Sequence, residues 1–228
     1  MSTTGDPNNG IRSMTDVSLN RVVDVIATLN VLAADRPVFH SEADFQFAFA
    51  WTAKQLDPRI EVRLEMKPRP GEALDVLLSR PDLDQHLAIE LKYLTRGWNG
   101  TVTGESFALR GQGASDIRCY DVVKDISRVE RFVVDRPNWT GCAIVLTNSA
   151  TYWNRAVHVK VTNADEFRIY DGARLSGVRD WGPNTGTGTK RTRETPVALT
   201  GEYDLEWTAY SRVDSSPAGT FRALVIYT

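Results

Sequence analysis

Apolar residues recur along this chain at two periods, and the switches between them mark out its elements. From Asp16 to Ala34, Val17, Leu19, Val22, Val23, Ile26, Leu29, Leu32 and Ala33 fall at helical spacing, with Asp16 or Ser18 as the cap and Pro37 beyond the end. A second helix is predicted from Ser41 to about Leu56, with Asp44 in the capping-box position and Pro58 past its end. Its Phe45, Phe47, Ala48, Phe49, Trp51 and Leu56 imply burial on most sides. Arg59 to Met66 changes to period two, with Ile60, Val62, Leu64 and Met66 set against charged neighbours, which predicts a strand with one wet face. Gly71 to Arg96 reads as two strands joined by a polar turn, Ser79 to Gln85. Ala114 to Asp135 predicts the longest helix, with Ser115 as its cap and a buried stripe that includes Ile117, Tyr120, Val123 and Val133. Trp139 to Ser149 is a short, nearly unbroken apolar run, the mark of a central strand covered on both faces.

The order helix, strand, strand, strand, helix, strand predicts an α/β sandwich, a mixed central sheet flanked by helices, with extra C-terminal strands. Residues 1–15 are polar and rich in Gly, Pro and Asn, which predicts a disordered tail; 16–228 is expected as one domain, with a core at about 40–150 and a β-rich extension at 151–228. In that extension Ala156–Val161 and Glu166–Tyr170 are strand-like pieces, and Leu199–Val213 with Phe221–Tyr227 is expected as a final pair of strands. Two segments lack a period. Thr95–Gly113 is Gly-rich and is expected as a lid or substrate-guiding loop, or else a mobile loop with incidental aromatics. Asp180–Arg193 is turn-rich and ends in Lys190, Arg191 and Arg193; it is either an exposed flexible loop or a nucleic-acid contact.

The candidate chemistry lies in the hairpin. In its second strand Leu87, Ile89, Leu91 and Tyr93 alternate with His86, Ala88, Glu90 and Lys92, so Glu90 and Lys92 share one face. Asp75 interrupts the apolar run of the first strand, and pairing around the Ser79–Gln85 turn brings it near Glu90. Two carboxylates suit Mg²⁺, which takes one or two of them and leaves its other positions to water and phosphate. A lysine beside them can orient or deprotonate water, or steady phosphate charge. On an amphipathic strand the same residues also make an ordinary solvated salt bridge.

Asp75 followed by Glu90-Leu91-Lys92 resembles the D…(D/E)-x-K signature of the PD-(D/E)XK nuclease superfamily, with Leu74 where the family name has Pro. The literal Pro81-Asp82 falls in the turn. The resemblance covers roughly residues 40–150 and implies a restriction-endonuclease-like fold and Mg²⁺-dependent phosphodiester hydrolysis, with Mn²⁺ as a substitute. On that resemblance Asp75 and Glu90 hold the metal with the Leu91 carbonyl assisting, and Lys92 activates water. Glu42, in the first turn of the Ser41 helix, supports the site or a second ion, though an acid there also complements the helix dipole. Gln112, Arg118, Lys124 and Arg128 become candidates to face the phosphate. From spacing alone, Arg118, Asp121, Asp125 and Arg128 form an ion-paired, solvated face.

Composition changes little in this picture. With 228 residues, 42% hydrophobic, the chain can bury a substantial core, and no run approaches a membrane span. The net charge of −2 means that a nucleic-acid binder must concentrate its cations locally. Two cysteines, Cys119 and Cys142, suggest neither a disulfide framework nor zinc, and His40, His86 and His158 share no ligand spacing. No P-loop, G-x-S-x-G elbow or dinucleotide fingerprint is present. The expected partner is nucleic acid, DNA ahead of RNA, in a cytoplasmic protein without a membrane, with a homodimer left open. The competing expectations are an inactive nuclease-like module acting through protein contacts, and an α/β assembly domain in which Asp75, Glu90 and Lys92 are only a salt-bridge network.

Overall fold

The computed structural model describes residues 22–69, 72–157 and 161–228. The expected tail, the Asp16 and Ser18 caps, His158 and part of the Ala156–Val161 piece lie outside these residues. The architecture is mixed α/β, a six-stranded mixed sheet with helices on both faces. Helix α1 (Val25–Asp35) starts later than its apolar period implied, because Asp24 takes the cap and accepts the Ala27 N–H. Helix α2 (Glu42–Leu56) opens on Ser41, whose Oγ accepts the Asp44 N–H. Asp44 in turn accepts the N–H of His40 and two bonds from Arg36, which fixes the α1–α2 connection. Helix α2 is not buried on most sides. Phe47 and Trp51 stack on each other on its outer face and are 57% and 55% exposed.

Strands β1 (Glu61–Arg69), β2 (Glu72–Arg80), β3 (Gln85–Leu94) and β6 (Trp139–Thr147) form the first part of the sheet, with β10 (Thr220–Tyr227) and β9 (Trp207–Arg212) beyond β6. Among the described residues only the β3–β6 pair of this sheet is parallel. A parallel pair needs a long crossover, and α3 (Ser115–Val133) supplies it. The alternation along β3 then sorts its side chains. Leu87, Ile89, Leu91 and Tyr93 enter a core with Phe39, Phe45 and Phe49 from the α1–α2 side, while Leu94 packs in a second core with α3. The central strand β6 behaves likewise, Cys142, Ile144 and Leu146 on one side and Ala143 and Val145 on the other. At Gly141 a Cβ would lie 2.3 Å from Val129 Cγ1, so glycine allows α3 to approach.

Several segments differ from the sequence expectations. The 95–113 loop contains a hairpin, β4 (Trp98–Val102) and β5 (Glu105–Leu109), turned at Thr103 and Gly104, both of positive φ. It is docked through its own side chains: Trp98 Nε1 donates to Asp214, Phe107 stacks on His40, and His40 meets Glu105 at 2.9 Å. Its tip residues are polar and only Trp98, Phe107 and Leu109 are buried, so the period was too short to register. Leu199–Val213 is not one strand. It breaks at Leu205 and Glu206 into β8 (Val197–Asp204) and β9, because Leu205 bonds back to Gly172 and Ala173. Strand β8 pairs with β7 (Arg174–Arg179) in a separate small sheet against the outer side of α3, and β9 joins the main sheet. Residues Asp165–Phe167 form a 3₁₀ turn in place of the strand expected at Glu166–Tyr170. The 180–193 loop holds a one-turn helix at Thr187–Lys190. Helix α3 starts without a side-chain cap, Ser115 being its first residue, and Ile117 is only partly buried. Among the described residues no helix is long and apolar enough to cross a membrane.

Candidate functional site

The site grows from a local failure of strand pairing. Strands β2 and β3 pair from Arg80–Gln85 to Val76–Ile89, and one further step would set Asp75 opposite Glu90. Pairing stops there. The N–H groups of Leu91 and Tyr93 face the β2 edge of β3 and lose their ladder partners. Carboxylates replace them: Asp75 Oδ2 accepts from Leu91 at 2.8 Å, and Glu42 Oε2 accepts from Tyr93 at 2.9 Å. Gln46, one turn after Glu42 on α2, donates to the Asp75 carbonyl at 2.6 Å and to Glu65 Oε1 at 3.1 Å. Opposite Asp75, Glu65 of β1 carries a φ of 50°, a backbone state that side chains disfavour.

On the α3 side of β3 lies a charged cluster, buried at Glu90 and Asp125 and partly open at Lys92 and Arg128. Glu90 is 1% exposed; its Oε2 meets Arg128 at 2.6 Å, while Oε1 is buried with no donor directed at it. Lys92 Nζ lies 2.9 Å from Asp125, 3.7 Å from Glu42 and 3.3 Å from the Leu91 carbonyl. Arg128 also bonds Asp125. Four carboxylates, Glu42, Asp75, Glu90 and Asp125, thus meet two cations, Lys92 and Arg128. Burial, with the Asp75 and Asp125 carboxylates beside it, pushes Glu90 up to about 10 against the pull of Arg128. Burial likewise raises Glu42 and Asp125, each partly offset by Lys92. For Lys92 burial acts downward, but Asp125, Glu42 and Asp75 together leave its pKa raised.

A cleft of about 540 Å³ opens over this cluster. Glu42, Lys92, Gln112, Arg118, Lys124 and Arg128 all line it, together with Asp121 and Asp125. Asp75 and Glu90 do not; Glu90 pairs with Arg128 of the lining, and the charge of Asp75 acts on Lys92. Gln112 is held by its Nε2 on the Tyr93 carbonyl and its N–H on Thr95. Arg118 pairs with Asp121 at 3.2 Å, whereas Lys124 is exposed. Only part of the α3 stripe is therefore a solvated face: Asp125 is buried, and it links Lys92 to Arg128. Among the described residues no three His, Cys, Asp or Glu side chains form a metal-holding group.

Two residues of the site were missed in the sequence. Spacing set Asp125 beside Arg128, as the structure has it, but gave no signal that it belongs to the site, since only the crossover topology lays that stripe on the Glu90–Lys92 face. Gln46 carries one: it is a polar position flanked by the buried Phe45 and Phe49 at helical spacing from Glu42. Comparison with family models, with curated proteins and with solved structures finds no match.

Proposed function

We propose that this chain is a divalent-metal-dependent nuclease of the PD-(D/E)XK type, hydrolysing phosphodiester bonds of DNA ahead of RNA. The observation that carries the reading is the under-neutralised carboxylate cluster where β2 leaves β3, below a cleft lined by Lys92, Arg118, Lys124 and Arg128. The donor set fits Mg²⁺ or Mn²⁺: Glu90 Oε1 is buried without a donor, and hard oxygens outnumber cations. Asp75 and Glu90 would hold the ion, with the Leu91 carbonyl as a third oxygen. Mg²⁺ sites commonly lack a full protein cage and leave the remaining positions to water and substrate phosphate. Such an ion, when bound, makes water more acidic and offsets charge on the phosphate.

The chain's own groups do the rest. Lys92, tied to Asp125, presents N–H donors to the cleft, which orients water and steadies charge on a phosphate oxygen. Gln112, Arg118 and Lys124 hold the phosphodiester over it. Glu42 fixes the end of β3 through the Tyr93 N–H and sets the distance to Lys92. Arg128 must give up Glu90 if the carboxylate is to reach a metal, and Asp125 remains to keep it near.

That last requirement favours a second reading. Arg128 on Glu90 and Lys92 on Asp125 close the cluster on itself, as in an inactive nuclease-like module that works through protein contacts. Cleavage of labelled single- and double-stranded DNA and RNA with Mg²⁺ or Mn²⁺ separates the two. Metal-dependent cutting, abolished in folded Asp75→Ala and Lys92→Ala, supports the nuclease; no cutting, or cutting that survives both changes, supports the module.

A further inference from the structure

The cleft does not end at the site. Lys124 also lines a depression of about 440 Å³ between the outer side of α3 and β8. On the opposite side Glu42 and Gln112 are shared with another, about 330 Å³, beneath the β4–β5 hairpin. These shared lining residues set the three depressions side by side across the site, as an interrupted trough. Arg110, Lys124 and Arg131 stand exposed along it, and none pairs with a carboxylate among the described residues. The far end is apolar, built by Val197, Ala198 and Val134, of which Val134 is 70% exposed. The basic stretch at 190–193 leads into that end: Thr195 and Pro196 line it, and the charge of Arg193 acts on Tyr120 in its wall.

We propose that the trough binds a single-stranded polynucleotide, its phosphates along Arg110, Lys124 and Arg131 and its unpaired bases against the apolar end. The proposal rests on the nuclease reading only for the position of the scissile bond. A duplex presents mainly phosphate to a protein and needs a broad cationic surface, whereas this chain is net acidic and the trough sets its cations among the carboxylates Glu42, Asp121, Asp125 and Glu130, leaving room for contact at separate phosphates only. Apolar walls beside such contacts suit the π-faces that only unpaired bases expose.

The test is fluorescence anisotropy of a short labelled oligonucleotide with the full chain in chelator, so that nothing is cut. Single strands and the matching duplex are compared, each as DNA and as RNA to separate the two sources. Single strands should bind tighter by about tenfold or more, from covering a base face with the apolar end. Lys124→Ala with Arg131→Ala should weaken that binding and cut the salt slope by roughly 1.4, two contacts at about 0.7 each. Lys67→Ala, on edge strand β1, should change neither. Equal affinity for duplex, a slope unchanged by the double variant, or no binding at all overturns the proposal. Cleavage with Mg²⁺ is scored separately: trough-dependent binding without cleavage removes the nuclease reading and keeps the trough, and cleavage with equal duplex affinity does the reverse.

Discussion

Helix α3 buries acids on both of its flanks, and they are treated in opposite ways. Toward β8, Glu130 accepts the N–H groups of Thr200 and Gly201 and the hydroxyl of Tyr203, so neutral donors surround its carboxylate. Toward β3, Asp125 meets Lys92 and Arg128, and those two cations must also serve Glu90 and Glu42. A buried carboxylate with enough fixed donors holds two elements together. One that shares too few cations keeps a free energy cost that a further cation can relieve, and such groups concentrate at sites of chemistry. The position of an acid on a helix therefore says less than the supply of donors on the element that covers it.

The widest gap between the flanks should appear in catalysis. Lys92→Met is expected to lower metal-dependent cleavage by about 10²- to 10⁴-fold, while Glu130→Gln leaves the rate per folded molecule unchanged; single-turnover assays check both. Next comes the response to metal. Mg²⁺ or Mn²⁺ at a hundredfold excess over its dissociation constant should stabilise the wild type by about 2.7 kcal/mol. Thermal unfolding should show this gain lost in Glu90→Gln and Asp75→Asn, and kept in Glu130→Gln. Glu130→Ala strands three donors and should cost roughly 1–3 kcal/mol in denaturant unfolding. Glu90→Gln, which puts a permanently neutral group where the fold already holds the glutamate protonated, should leave metal-free stability near neutral pH equal or higher.

The smallest effect is on pH dependence in chelator. Glu90 keeps its proton in the fold up to about 10 but loses it in the unfolded chain near the ordinary glutamate value. Between those values the native state binds the extra proton, so rising pH lowers stability, and the contribution is complete only below the unfolded value. Glu90→Gln should flatten that slope in unfolding curves taken across neutral to alkaline pH; an unchanged slope would show that Glu90 is ionised in the fold.

Local pattern determined much of this protein. The alternation of β3 already placed Glu90 and Lys92 on one face, Ser41 and Pro58 bracketed α2, and the apolar run at Trp139 marked the central strand. Those features depend on period and capping, which neighbours in sequence decide. Other features needed the folded chain. Where β2 leaves β3, and hence why Asp75 and Glu42 cap Leu91 and Tyr93, depends on α2 lying across the end of the strand. Asp125 joined the site, and Glu130 did not, because α3 crosses between β3 and β8. The Trp98–Leu109 hairpin is held by Asp214 and His40, partners 116 and 65 residues from Trp98 and Glu105. A side chain's own sequence sets which way it points, but the supply of donors and charges it meets comes from distant segments, and only the tertiary structure brings those together.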